Sequence, residues 1–107
     1  MRKALEQLLA GGRDDALLRF SLGGACLRDG DADAAAGHLA RAVEHDPGYS
    51  AAWKQLGHAL VESGRPAEAA RAWATGVETA EAKGDVQAAK EMRVFLKRLH
   101  KRGEGAR

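Results

Sequence analysis

Residues 49–73 read YSAAWKQLGHALVESGRPAEAARAW, and the spacing of their large residues decides the fold. Trp53, Leu56, Leu60 and Trp73 are bulky. Gly57, Gly64 and Ala69 between them are very small. A catalytic loop would gather polar groups, whereas this stretch sets bulk against absence of bulk at helical intervals. Gly64 followed by Pro66 divides it into two helical pieces, since glycine ends helices and proline suits a first helical turn.

Working outward, the same punctuation cuts the rest of the chain into helix-sized segments. Helices are expected over 2–10, 14–28, 32–45 and 50–63, with Asp14 or Asp15, Asp31 and Ser50 as starting caps. Gly11, Gly30 and Gly64 follow helix ends, and the residue before Pro47 is pushed out of the helical region. A fifth helix begins at Pro66 and runs to about Lys83, where Gly84 caps it. Asp85 opens a sixth over 85–101, DVQAAKEMRVFLKRLHK, followed by a tail expected to be flexible at 103–107. Ile and Asn are absent, alanine dominates, and no segment alternates with period two, so the fold class is all-α. At 107 residues, one domain over 1–102 is expected.

A shift of 34 residues superposes the middle of the chain on itself. Leu22, Gly23 and Ala25 fall on Leu56, Gly57 and Ala59, Gly30 on Gly64, Ala35 and Ala36 on Ala69 and Ala70, and Val43 and Glu44 on Val77 and Glu78. This period and pattern resemble the tetratricopeptide repeat. The second unit, 50–83, supplies Trp53, Leu56, Gly57, Leu60, Ala69 and Trp73 at the family's signature positions, with Leu60 in place of an aromatic residue. The first, 16–49, supplies Leu22, Gly23, Ala35, Leu39 and Pro47 but has Arg19 where a Trp would stand. The second unit has Glu81 in place of a closing proline.

The resemblance implies antiparallel helical hairpins stacked as a short right-handed solenoid. Gly57 and Ala69 would sit where the helices of a hairpin cross, and Trp53 would pack toward a neighbouring hairpin. A glycine inside a helix costs about 1 kcal/mol relative to alanine, so Gly23 and Gly57 are expected to be offset by close packing. Two repeats leave open ends. The stripes Leu5, Leu8, Leu9 and Val86, Ala89, Met92, Phe95, Leu96, Leu99 are expected to cover them, the last helix acting as a cap. The rival reading is that these faces pair two copies of the chain as a homodimer.

Little in the sequence points to chemistry. Cys26 is the single cysteine, which removes intramolecular disulfides and C-x-x-C motifs and fits a small buried core residue in a cytoplasmic protein. His38 and His45 are two turns apart on one helix, about 10 Å, too far to share a metal ion. The acidic groups around Asp15 and Asp31 lack the rest of a calcium loop and read as helix-start carboxylates. No enzyme motif, cofactor site, metal site or membrane span is expected. A net charge of +2 does not call for nucleic acid. The basic residues Lys90, Arg93, Lys97, Arg98, Lys101, Arg102 and Arg107 read as a solvated outer face, with weak binding of an anionic polymer as the alternative.

The function that the resemblance implies is protein–protein interaction. The family lines its inner groove with fixed positions of each first helix. On this chain they are Leu17, Phe20, Gly24, Leu27 and Arg28, then Ala51, Lys54, His58, Val61 and Glu62. Together they describe an apolar floor with a cationic edge from Arg28, Lys54 and His58, suited to a protein or peptide partner. The same apolar residues would serve equally well to pack the terminal helices, and the sequence leaves both open. One subset of the family grips chaperone C-terminal carboxylates with lysine, arginine and asparagine. Phe20 and Gly24 stand at the first lysine and asparagine positions here, so that clamp is not implied.

Overall fold

The computed structural model describes residues 1–105, with side chains through Gly103. Among these residues the chain forms six helices and no strand. They are α1 (Arg2–Ala10), α2 (Ala16–Arg28), α3 (Ala32–His45), α4 (Ser50–Glu62), α5 (Pro66–Lys83) and α6 (Val86–Gly105). α2 with α3 and α4 with α5 make two hairpins. α3 lies against α4 and α5 against α6, so the hairpins stack in chain order. On one side of the stack α4 lies between α2 and α6 and touches both, and α1 rests on α2. α6 continues past the expected end at 101 into the segment read as a tail. Residues 106–107 of that segment, including Arg107, lie outside the described residues.

Side-chain caps fix three of the helix starts. Asp15 Oδ1 accepts from the Leu18 N–H at 2.8 Å, Asp31 from Ala34 at 3.2 Å, and Asp85 from Ala88 at 3.2 Å. The acidic groups are thus helix-start carboxylates. α4 departs from expectation, because Ser50 is its first helical residue rather than its cap. Buried, Ser50 donates its hydroxyl to Asp85 Oδ2 at 2.9 Å and ties the start of α4 to that of α6. The chain reverses after α2, α4 and α5 at glycines with φ of +78°, +77° and +77°, a region L-residues avoid.

The core is built by bulk against absence of bulk. A Cβ on Gly23 would lie 2.4 Å from Leu39 Cγ, and one on Gly57 would lie 2.0 Å from Trp73 Nε1. At Gly57 the space admits an indole. Trp73, only 3% exposed, fills it and donates Nε1–H to the Lys54 carbonyl at 3.0 Å. Gly76 repeats the device, since a Cβ there would meet Met92 Sδ at 2.4 Å and Trp53 Cβ at 2.8 Å. Trp53, expected to pack toward a neighbouring hairpin, sets its Cβ against Gly76 of its own hairpin, packs against both parts of the core, and donates its indole N–H to the Pro47 carbonyl at 2.8 Å. Cys26 is fully buried beside Ala35 and Leu39.

The ends are closed differently. α1 buries no residue fully. It is held by Leu5 and Leu9, which are half-buried, and by Arg2, which reaches Asp31 at 3.0 Å and Asp29 at 3.6 Å. α6 buries Ala88, Ala89 and Met92 and half-buries Phe95, Leu96 and Leu99. Its opposite row, Val86, Lys90, Val94, Lys97 and Lys101, is exposed. Three lysines among two valines make that row a solvated edge.

Candidate functional site

α2 has two faces with different tasks. Leu18, Leu22, Ala25 and Cys26 are buried toward α3. Leu17, Phe20, Gly24 and Leu27, spaced by three, four and three residues, fall on the other side of the helix. Leu17 is 58% exposed, while Phe20 and Leu27 are half-buried. Phe20 stacks on Tyr49 at the start of α4, with ring centroids 4.9 Å apart. Arg28, exposed at the end of this row, places Nη2 4.0 Å from Met1 Sδ.

The α4 positions are in closer company. Lys54 Nζ lies 3.4 Å from Glu91 Oε1 of α6, so its charge already has a partner. His58 packs edge-on against Phe95 at 4.5 Å and Trp73 at 5.2 Å. Its burial, with Lys54 nearby, pushes the imidazole pKa below its ordinary value. Ala51 is half-buried and Glu62 exposed. Of the cationic edge expected from Arg28, Lys54 and His58, Lys54 is paired, His58 is packed among aromatic rings, and Arg28 makes no ion pair among the described residues.

A shallow cavity of about 200 Å³ opens beside His58 and Val61. Trp73, Phe95 and Leu99 complete its floor, and Arg98 and Arg102 stand at its edge. His58 and Val61 are groove positions by repeat register, whereas Phe95 and Leu99 read in the sequence as a terminal stripe and the two arginines as a solvated face. A signal was present: Arg98 and Arg102 are one turn apart, and Arg98 adjoins Leu99. A second hollow, about 370 Å³, lies between α3, α4 and α5, lined by Ala36, Gly37, Ala40, Leu56, Leu60 and charged residues.

With this geometry, comparison with known proteins is direct. The family model described as Tetratricopeptide repeat matches residues 26–92, more than half of the chain. The chain belongs to the tetratricopeptide-repeat family. It is 54% identical over 99 residues to the TPR repeat-containing protein PA0015 of Pseudomonas aeruginosa, covering 92% of this chain and 94% of that one. The solution structure of protein BPP2914 from Bordetella parapertussis superposes with a TM-score of 0.81 at 44% identity, over 95% of this chain and 89% of that one. A tetratricopeptide-repeat domain protein from Salinibacter ruber gives 0.75 at 24% identity, over 81% and 97% respectively, a likeness of fold.

The polar side of the first hairpin carries a network of its own. Arg19, at the position of the signature Trp, forks onto Asp14 at 2.8 and 2.9 Å and donates Nη1–H to His38 Nδ1 at 3.1 Å. His45 Nε2 meets the same Asp14 at 2.8 Å. The Arg19 guanidinium first, and His45 second, hold the Asp14 carboxyl well below the usual range. Burial, with Arg19 and Arg2, lowers the His38 pKa. His38, half-buried, and His45, exposed, are thus the ends of one chain of hydrogen bonds. Among the described residues, no cluster of three or more His, Cys, Asp or Glu is placed to hold a metal ion. No helix there is long and apolar enough to cross a membrane.

Proposed function

We propose that this chain is a cytoplasmic, non-enzymatic binding module that holds a segment of a partner protein against α2 and α4. The observation that carries the reading is the apolar row on α2. Leu17 stands 58% exposed, in line with Phe20 and Leu27, on the side that α3 does not cover. An exposed leucine alone is ordinary, but one continuing a half-buried Phe and Leu makes a patch. Family membership supports the same reading at the level of function class. Arg28 at the end of the row suits a partner with a carboxylate near its apolar anchor.

Affinity capture from lysate of the source organism tests it, comparing wild type with a Leu17→Ser/Phe20→Ala variant whose helicity is checked by circular dichroism. Proteins retained by the wild type and lost by the folded variant support the groove. Equal capture by both removes the α2 face from consideration. Self-association through the terminal helices is the second reading: Met1, Leu8, Val86 and Val94 are exposed there, the two valines among lysines, while Phe95 and Leu99 turn toward α4 and α5. Light scattering distinguishes it by mass.

A further inference from the structure

We infer that the cavity between α4 and α6 is a second contact point, one that takes an apolar side chain flanked by carboxylates on an acidic segment of a partner protein. The inference rests on the reading of the chain as a binding module and names the chemistry of a partner at a place the α2 row does not reach.

Its floor is apolar and aromatic, made by Val61, Trp73, Phe95, Leu99 and the His58 ring. A volume of about 200 Å³ admits one ring or branched aliphatic side chain, given that protein cavities of roughly 150 Å³ hold benzene. Its edge is cationic. Arg98 and Arg102 are exposed and one turn apart, and the ion pairs α6 makes among the described residues use Glu91 and Arg93 instead. From Lys97 to Arg102 the helix carries four fixed positive charges and no carboxylate. The division of labour among these four is informative. The two that line the cavity are arginines, and the two on the outward row, Lys97 and Lys101, are lysines. A guanidinium grips a carboxylate with a planar fork and stacks on aromatic rings, whereas an ammonium is a hydrated point charge suited to solvent. Glu62, one turn beyond His58 on α4, is the acidic group acting on that ring, and among the described residues it makes no ion pair with either arginine.

The test is a ¹H–¹⁵N titration of the full chain with the blocked peptide Ac-Glu-Glu-Phe-Glu-Glu-NH2, following the Trp73 indole N–H and the amides of His58, Val61 and Leu99. Two control peptides replace Phe by Ala, or every Glu by Gln. The expected result is saturable movement of the Trp73 indole signal, weakened about tenfold or more by either control and by Arg98→Glu/Arg102→Glu, as loss of charge-assisted hydrogen bonds or of the apolar anchor requires. Both arginines are exposed, so the variant should fold. Arg98→Gln/Arg102→Gln, weakening binding in the same direction, separates loss of the fork from charge repulsion.

A silent Trp73 indole at millimolar peptide overturns the inference. So does equal binding of the Ala peptide, which reduces the site to charge alone, or of the Gln peptide, which removes the arginines from it. Tighter binding of an oligouridylate through the same residues replaces the acidic segment with nucleic acid and also overturns it. If Trp73 stays silent while lysate capture still depends on Leu17 and Phe20, the binding-module reading stands and this inference alone fails.

Discussion

Replacing Gly57 with alanine isolates the packing rule on which this fold rests. In an exposed helical position the change stabilises by roughly 0.5–1 kcal/mol. At Gly57 the new methyl carbon would stand 2.0 Å from Trp73 Nε1, 2.2 Å from Cε2 and 2.5 Å from Cδ1. The indole is 3% exposed and borders the cavity beside His58, so it can yield only by giving up its bond to the Lys54 carbonyl. Overpacking of this kind costs about 1–3 kcal/mol. A displaced indole also forfeits its hydrogen bond, about 0.5–1.5 kcal/mol. Set against the propensity gain, the net loss is on the order of 1–3 kcal/mol. In a domain of this size that lowers Tm by roughly 5–20 °C. Calorimetry of Gly57→Ala beside Gly37→Ala reads it directly. Gly37 is exposed on α3 with nothing near its would-be Cβ, so that change should raise Tm by a few degrees. Trp73→Phe should absorb part of the Gly57→Ala cost, a coupling of about 1 kcal/mol between contacting residues. If Gly57→Ala melts at or above the wild type, Trp73 is not the reason that position is glycine.

Gly76→Ala meets the end of a flexible Met92 side chain as well as Trp53 Cβ, so a smaller loss of about 1–2 kcal/mol is expected, felt first at α6. Amide exchange should quicken in α6 before α2 and α3, and uniform quickening would contradict it. The pKa values of His38 and His58 are both lowered, chiefly by burial. The unfolded chain therefore binds more protons below the ordinary value of about 6.5, and stability falls as pH drops from there toward the folded values. The urea midpoint should be lower at pH 5.5 than at pH 7.5, and less so in His58→Leu; an undiminished difference in that variant would clear His58 of the effect. Asp14, Asp15, Asp31 and Asp85, all lowered, act in the same direction below about pH 3.9. Lys54→Met removes a partly exposed ion pair with Glu91, worth at most about 1 kcal/mol, while keeping much of the buried stem. A Tm shift beyond a few degrees would show that estimate to be too small.

The helices, the two hairpins and the glycine contacts were legible in the sequence because each rests on local rules. Gly30, Gly64 and Gly84 mark chain reversals, Asp15 and Asp31 mark starts, and a 34-residue repeat fixes which helix packs on which. Gly76 escaped because its partner, Met92, lies outside the repeated units, so no internal comparison exposes the pair. Ser50 escaped for a related reason. A serine before a helical run reads as a cap, and only the fold brings Asp85, 35 residues away, to its hydroxyl. The candidate site was half legible. Repeat register gave Leu17, Phe20, His58 and Val61, yet it could not say that α6 would bring Glu91 to Lys54 and Phe95 to His58, because α6 does not carry the repeat pattern.

The departures from the repeat pattern share a physical logic. A stack of identical hairpins would expose at each end the apolar surface it buries in the middle. Here Arg19 replaces the first signature Trp and spends its charge on Asp14 and His38, so no large aromatic waits there for a preceding hairpin. At the other end Glu81 replaces the closing proline. α5 can then run on to Lys83, and Glu81 pairs with Arg93 of α6. α6 in turn gives its apolar side to Trp53, Trp73 and Gly76 and its lysine row to solvent. The ends carry charge together with the exposed side chains of Met1, Leu8, Val86 and Val94, while Leu17 and the His58–Phe95 cavity stand open on the side of the stack. On the side, Leu17 continues a half-buried Phe20 and Leu27, and the cavity beside Arg98 has an aromatic floor, whereas the apolar residues at the ends stand singly among charges, so the α2 row and the cavity are the first places to test.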